Sequence, residues 1–234
     1  DQIVKELEGA SYRVADVKKG ERIKKAPLPF TTSTLQQEAS KALNFATSKT
    51  MRIAQQLYEG IDIKGNGTVG LITYLRTDST RISEEADENV RNYIEEQYGK
   101  QYVAVGEAKT GTDKKIQDAH EAIRPTDPAR TPAAMKESLT RDQFRLYQLI
   151  WKRFLASRMK PARYETTSVK IAAGDYRFTV SASKVAFDGF RMIYTEAGEE
   201  KEESNVLAKS LDKDSALQYE SFDSKQHFTQ PPAH

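Results

Sequence analysis

The apolar positions change their period along the chain, and the changes divide it. Asp1 to Leu7 has a short helical pattern, and Ala10 to Lys18 alternates loosely in the manner of a strand. Lys18 to Pro29 is basic and carries Pro27 and Pro29, which predicts an extended connector. Thr34 and Gln37 form a capping-box signature for a helix in which Leu35, Ala39, Ala42, Leu43 and Ala46 recur at helical spacing. A second helix restarts at Thr47 or Ser48, runs through Met51, Ala54, Leu57 and Tyr58, and ends at Gly60. Gly65-Asn66-Gly67 then turns the chain into Gly70-Leu71-Ile72-Thr73-Tyr74, whose apolar, β-branched character suits a short buried strand. Ser83 caps the next helix, with Glu84 and Glu85 in its first turn and Ala86, Val90 and Ile94 as its apolar face. A polar loop follows at 109–115, then a short helix opening at Thr131-Pro132. The longest helix runs from Arg141 to near Arg158 behind a Thr140/Gln143 capping box, with Phe144, Tyr147, Trp151 and Phe154 as its core stripe.

After Pro161 the period falls to two. Glu165, Thr167, Val169 and Ile171 alternate with more polar neighbours, and Gly174-Asp175 signals a two-residue hairpin of type II′. Tyr176, Phe178, Val180 and Ala182 give the returning strand an apolar face, and further strands are expected near Phe190 to Tyr194 and Ala216 to Phe222. The pattern therefore predicts an α+β chain of two domains. A helical domain over 30–159 is inserted into a mainly β domain built from 1–29 and 160–234.

The 234 residues can hold one large domain or two small ones. Lys plus Arg total 36 against 34 acidic residues, so the net charge argues neither for nor against a nucleic-acid partner. Its distribution says more. Arg141, Arg145, Lys152, Arg153, Arg158, Lys160 and Arg163 are accompanied by one acid, Asp142. Arg141, Arg145 and Lys152 share one side of their helix, a solvated face by default and a phosphate-binding one in the right company. Glu196 to Glu203 reads as a solvated acidic loop. The absence of cysteine excludes disulfides and thiolate metal sites. No apolar run approaches the roughly 18–20 residues of a membrane span. The chain begins without Met inside a predicted helix, which reads as an excised or processed piece of an intracellular protein.

The candidate chemistry sits at Tyr74-Leu75-Arg76-Thr77-Asp78. In an extended conformation side chains two apart share a face, so Tyr74, Arg76 and Asp78 point the same way. A phenol with a pKa of about 10 is a poor nucleophile unaided. An adjacent guanidinium oriented by a carboxylate is the help it needs, although a strand edge with a half-buried Tyr and an ion pair fits the same residues.

The whole string Gly70-Leu71-Ile72-Thr73-Tyr74-Leu75-Arg76-Thr77-Asp78-Ser79-Thr80-Arg81 resembles the active-site segment of bacterial DNA topoisomerase I, the type IA class. Three more strings match in order: Pro29 to Gln37 with Ala54 to Glu59, Gln117 to Pro125 (including Ala119-His120-Glu121-Ala122-Ile123-Arg124-Pro125), and Gln226 to Ala233. Two small departures are Leu75, where the bacterial enzymes usually carry Met, and His234, where they continue with Arg. The resemblance implies a CAP-like, winged-helix-like domain bearing the tyrosine, carried on a β-rich arch domain that acts as a hinge, with crossings near 27–33 and 156–163. The N-terminal share of that arch looks short. It further implies relaxation of negatively supercoiled DNA without ATP, by single-strand cleavage through a 5′-phosphotyrosine, strand passage and religation.

By the same resemblance Tyr74 is the nucleophile, Arg76 stabilises the phosphate, and His120 assists at the scissile phosphate. Asp78 orients the histidine and the arginine. Gln55 and Glu59, four apart on one helix face, lie near the site and grip the strand. Arg124, four residues from His120 in a predicted helical stretch, joins the DNA-binding set with Arg141, Arg145 and Lys152. Thr77 and Ser79 either bind phosphates or cap the following turn. Magnesium and the leaving-group acid belong to a separate Toprim domain. Asp212-Lys213-Asp214 has neither a strand leading into it nor a third acid, so no metal ligands are expected here. The expected partners are single-stranded or negatively supercoiled DNA and the rest of the same polypeptide, with no membrane. The chain is expected to be monomeric, in the bacterial cytoplasm at the nucleoid, and unable to cleave DNA alone. A rival reading is a non-catalytic winged-helix-like DNA-binding module using the 141–163 basic stripe, in which Tyr74 is buried. Tyrosine recombinase or type IB chemistry fits poorly, because those proteins place several arginines before a late tyrosine.

Overall fold

The structure, a computed structural model, describes residues 2–104, 120–196 and 211–221. The predicted loop at 109–115, residues 117–119 of the histidine motif, most of the acidic stretch after Glu196, and 222–234 lie outside the described residues. In chain order the elements are α1 (Gln2–Glu8), β1 (Tyr12–Lys24), α2 (Thr32–Leu43), α3 (Thr47–Glu59), β2 (Ile61–Ile63), β3 (Gly67–Val69) and α4 (Glu84–Tyr98). After these come α5 (Pro132–Met135), α6 (Arg141–Ala156), β4 (Ala162–Ala173), β5 (Tyr176–Phe187) and β6 (Ala216–Leu217). The chain is a mixture of helix and sheet and forms two compact units.

One unit takes residues 2–22, 165–184 and 211–221 of those described. Its sheet has the order β5-β4-β1-β6, and β6 runs antiparallel to β1 with Tyr12 opposite Leu217. Gly174 turns β4 into β5 at φ +55°, while Asp175 stays out of the left-handed region, as a type II′ turn requires. Leu7, Val14, Val169 and Ala173 are buried, and the Tyr12 ring stacks on Tyr219 at 5.8 Å. Three expectations change. The strand β1 runs on to Lys24 through the expected basic connector, because pairing in the sheet satisfies its backbone whatever its side chains are. The apolar face of β5 is incomplete: Val180 is exposed on this edge strand. At the start of β5 the Tyr176 hydroxyl donates to Glu6 of helix α1 at 2.6 Å. The last strand is only Ala216–Leu217 within the described residues.

The other unit takes 23–104, 120–164 and 185–196 of those described. Its core gathers Phe30, Leu35, Leu57, Leu71, Ile72, Leu75, Val90, Ile94, Ile123, Ile150 and Phe154, all essentially sealed from water. Each such side chain contributes about 1.5–3 kcal/mol by its burial. The predicted stripe of α6 packs here, with Tyr147, Trp151 and Phe154 buried and Phe144 half-buried. Its polar tips anchor the preceding turn, as the Tyr147 hydroxyl donates to Arg130 O (2.6 Å) and Trp151 Nε1 donates to Pro128 O (2.9 Å). Ser83 caps α4 and the Thr140/Gln143 box caps α6, as the sequence predicts.

Helix α2 begins earlier than expected. Phe30, buried and bridged to Ile123, ends the extended segment, so Thr31 is the cap and Thr34 completes the box. The expected strand at 190–194 is instead a 3-10 turn over Gly189–Met192. Phe190 and Tyr194 are both buried in the core, and Phe190 N–H donates to Lys160 O (3.0 Å) as the chain turns. Two of the seven basic residues between 141 and 163 are internal. Arg153 is buried between the Phe30 and Tyr194 rings and pairs with Glu196, and Arg158 is buried beside Asp87.

Candidate active site

Three non-helical segments lace together around Tyr74. Ile123 N–H donates to Phe30 O (2.8 Å), and Ile72 bridges Pro125. The tyrosine segment is held from both sides by threonine. Thr73 N–H donates to Arg124 O (2.9 Å), Arg124 N–H donates back to Thr73 Oγ1 (3.0 Å), and the Thr73 hydroxyl donates to Ala122 O (2.7 Å). On the other side Thr32 N–H donates to Thr77 O (2.9 Å), Thr77 N–H donates to Thr32 Oγ1 (2.8 Å), and the Thr32 hydroxyl donates to Leu75 O (2.7 Å). Gly70 lets the segment start close to α3, since a Cβ there would sit 2.8 Å from Tyr58 O.

The segment is not a regular strand, since Ile72 makes only an isolated bridge. Its alternation nevertheless holds: Tyr74, Arg76 and Asp78 are exposed, while Leu75 and Thr77 are buried between them. Tyr74 is 42% exposed, its ring edge-on to Tyr58 at 5.4 Å. Its hydroxyl takes no hydrogen bond among the described residues. A cleft of about 200 Å³ is lined by Thr73, Tyr74, Thr77, His120 and Glu121. A second, of about 550 Å³, is lined by Thr32, Ser33, Gln36, Met51, Arg76, Thr77, Asp78 and His120. Thr77 and His120 line both, so the cleft that holds the phenol and the cleft that holds the guanidinium and the carboxylate adjoin, with the imidazole in the wall of each.

His120 is not on a helix, in contrast to the sequence expectation. The bridge of Ile123 to Phe30 and the bonds of Arg124 to Thr73 keep residues 120–126 extended. Arg124 is turned inward. Its Nη2 donates to Glu121 Oε2 (2.6 Å) and its Nη1 to Pro125 O (3.1 Å), and it lines neither cleft. Glu121 also accepts from the Ser83 N–H at the start of α4. Burial raises the Glu121 pKa, but the Arg124 charge and the hydrogen bonds from Arg124 and Ser83 outweigh it and hold the group below its usual 4.5.

Gln55 and Glu59 lie on the α3 face that also carries Tyr58, and Gln55 Nε2 donates to Glu59 (2.6 Å). The hydroxyls of Thr77 and Ser79 accept from the N–H two residues on (3.0 and 3.2 Å), which closes the turn after the site. Arg145 donates to Leu43 O (3.2 Å) and lies over the Phe45 ring, whereas Arg141 is exposed and Lys152 half-exposed on the same helix. Asp214 pairs with Arg13 at 3.3 Å. No group of three His, Asp or Glu that could hold a metal ion occurs among the described residues. Sequence reading missed the structural parts of Thr32, Thr73 and Glu121. The parity that aims Tyr74 outward also aims Thr73 and Thr77 inward, and that was the available signal.

The chain as a whole is similar to known proteins. The DNA topoisomerase family profile covers residues 1–234, and the chain belongs to that family. Among solved structures it is similar to full-length topoisomerase I from Thermotoga maritima, in a monoclinic crystal form. The two share 40% identity with a TM-score of 0.75, over 92% of this chain and 34% of that one. The chain thus spans about a third of that neighbour's length. The resemblance read from the motifs is shown. None of the described helices is long and apolar enough to cross a membrane.

Proposed function

We propose that this chain supplies the nucleophile of a type IA DNA topoisomerase. The Tyr74 phenolic oxygen attacks a DNA phosphorus, forming an O–P bond to the 5′ side of the break while the bond to the 3′ oxygen breaks and leaves a 3′-hydroxyl. Phosphotyrosine conserves the bond energy, so attack by that hydroxyl reseals the strand without ATP. Arg76 neutralises charge building on the nonbridging oxygens, a role in which guanidinium geometry matches phosphate. Its loss costs about 3 kcal/mol of barrier, as for other preorganised donors to such charge. His120 assists at the same phosphate and Asp78 orients Arg76 and His120. The observation that carries this reading is the exposed Tyr74 in a cleft with His120, beside a second cleft that His120 shares with Arg76 and Asp78. That exposure also speaks against the non-catalytic module, which needs Tyr74 in a core.

The described residues do not fit magnesium, so no step here passes through it. In this reading the metal and the leaving-group acid come from a Toprim domain in the rest of the polypeptide. The β-rich part of this chain serves as arm and hinge for a helical domain over 30–159. The substrate is single-stranded or negatively supercoiled DNA in the bacterial cytoplasm, and the chain acts as a monomer. Gln55, Glu59 and the exposed cations of α6 grip the strand.

The test is to incubate the chain with negatively supercoiled DNA and magnesium, alone and with the Toprim-containing remainder supplied in trans. Nicking only in the mixture, and lost in Tyr74→Phe, is expected. An adduct formed by the chain alone overturns the predicted incompetence, and nicking by the Tyr74→Phe mixture overturns the assignment.

A further inference from the structure

Two peptide units meet at the Arg76 Cα, and one side-chain oxygen bonds both. The Thr32 hydroxyl donates to Leu75 O (2.7 Å), in the unit before Arg76, and accepts from the Thr77 N–H (2.8 Å), in the unit after it. Thr77 O, 3.0 Å from the same hydroxyl, is served by the Thr32 N–H (2.9 Å). Peptide units are planar, so only the two backbone rotations at Arg76 can move these units against each other. A common anchor fixes both rotations and with them the direction in which the Arg76 side chain leaves the backbone. A hydroxyl suits the place because one oxygen both donates and accepts.

The anchor is itself held. Thr32 is the first residue of α2, directly behind the Thr31 cap and its box with Thr34. Phe30 before it and Leu35 after it are sealed in the core. Leu75 and Thr77 are buried on either side of Arg76, which is exposed. The Arg76 guanidinium takes no hydrogen bond or ion pair among the described residues, so its backbone is the part that the protein grips. Thr73 also spends its hydroxyl near the site, but on Ala122 O and Arg124 N–H, and touches neither peptide unit at Arg76.

We propose that Thr32 is a positioning residue for Arg76: its side-chain oxygen sets the Arg76 backbone and so aims the guanidinium at the phosphate that Tyr74 attacks. The role rests on the topoisomerase reading of Tyr74 and Arg76. It divides the support of the site between two threonines, Thr73 beside the nucleophile and Thr32 behind the cation. Donors to developing charge are effective because they are in place before the reaction begins. A guanidinium on a loose backbone loses part of that advantage.

The test is a double-mutant cycle on single-turnover cleavage of a single-stranded oligonucleotide by the full-length polypeptide with magnesium. Thr32→Val keeps the shape of the side chain and removes its bonds, and Thr32→Ala, which also lacks the hydroxyl, is carried through the same cycle. Each is expected to slow cleavage about tenfold, inside the roughly hundredfold that a misplacement of about 1 Å can cost, with DNA affinity unchanged. Thr32→Ser is expected to restore most of the rate. In an Arg76→Ala background, loss of the Thr32 hydroxyl is expected to cost nothing further, whereas a general loss of stability acts equally in both backgrounds. Three results overturn the role and leave Tyr74 as nucleophile: an undiminished loss in the Arg76→Ala background, a wild-type rate without the hydroxyl, or a Thr32→Ser enzyme as slow as Thr32→Val. Absence of any Tyr74 adduct in the wild type overturns the topoisomerase reading, and the role of Thr32 falls with it.

Discussion

Tyr74 faces solvent because its two neighbours are tied to the protein. Leu75 enters the core, and Thr73 spends its hydroxyl on Ala122 O and Arg124 N–H, so the alternating backbone turns the phenol outward. Removing that hydroxyl in Thr73→Val leaves both backbone groups without a partner, which costs about 1–3 kcal/mol. Urea denaturation measures it, and Thr73→Ser is expected to keep most of the wild-type stability. Glu121 sets a pH dependence at the same scale. Its folded pKa lies below 4.5, so its contribution is fully present above that value and is lost as the pH falls through the folded value. Denaturation midpoints between pH 3 and pH 6 are expected to fall less steeply on acidification in Glu121→Gln than in the wild type. An unchanged slope would contradict the Glu121–Arg124–Ser83 geometry.

Among the elements, those with strong local signals were legible. The stripe of α6, the Ser83 and Thr140 caps, the Gly60 stop and the Gly174 turn each follow from side chains within one or two turns. What escaped depends on partners distant in sequence. Residues 120–124 have helical spacing, yet Phe30 and Thr73 hold them extended. The run from Arg141 to Arg163 looks like one basic surface, yet Arg153 and Arg158 are core residues whose partners, Glu196 and Asp87, lie far along the chain. The second pair joins α4 to the end of α6. Arg158 Nε lies 2.6 Å from Asp87 Oδ1, an ion pair without hydrogen-bond alignment, and burial lowers the Arg158 pKa. Asp87→Ala leaves a buried guanidinium unpaired and is expected to cost about 3 kcal/mol. Calorimetry is expected to show the lower melting temperature, with a smaller change for exposed Glu84→Ala.

For the whole molecule, the motifs disclosed the family, and the described residues explain how one unit exposes a tyrosine in a cleft that it shares with His120. The chemistry remains divided between polypeptide segments in our account, since this chain spans about a third of its solved neighbour's length. The central claim concerns one oxygen atom. The most direct measurement is to trap DNA on the chain in the presence of the Toprim-containing remainder and magnesium, digest protein and DNA, and locate the nucleotide-bearing peptide by mass spectrometry. The account predicts a 5′-linked nucleotide on Tyr74, and none in Tyr74→Phe. A nucleotide on any other residue, or one attached through its 3′ end, would contradict it.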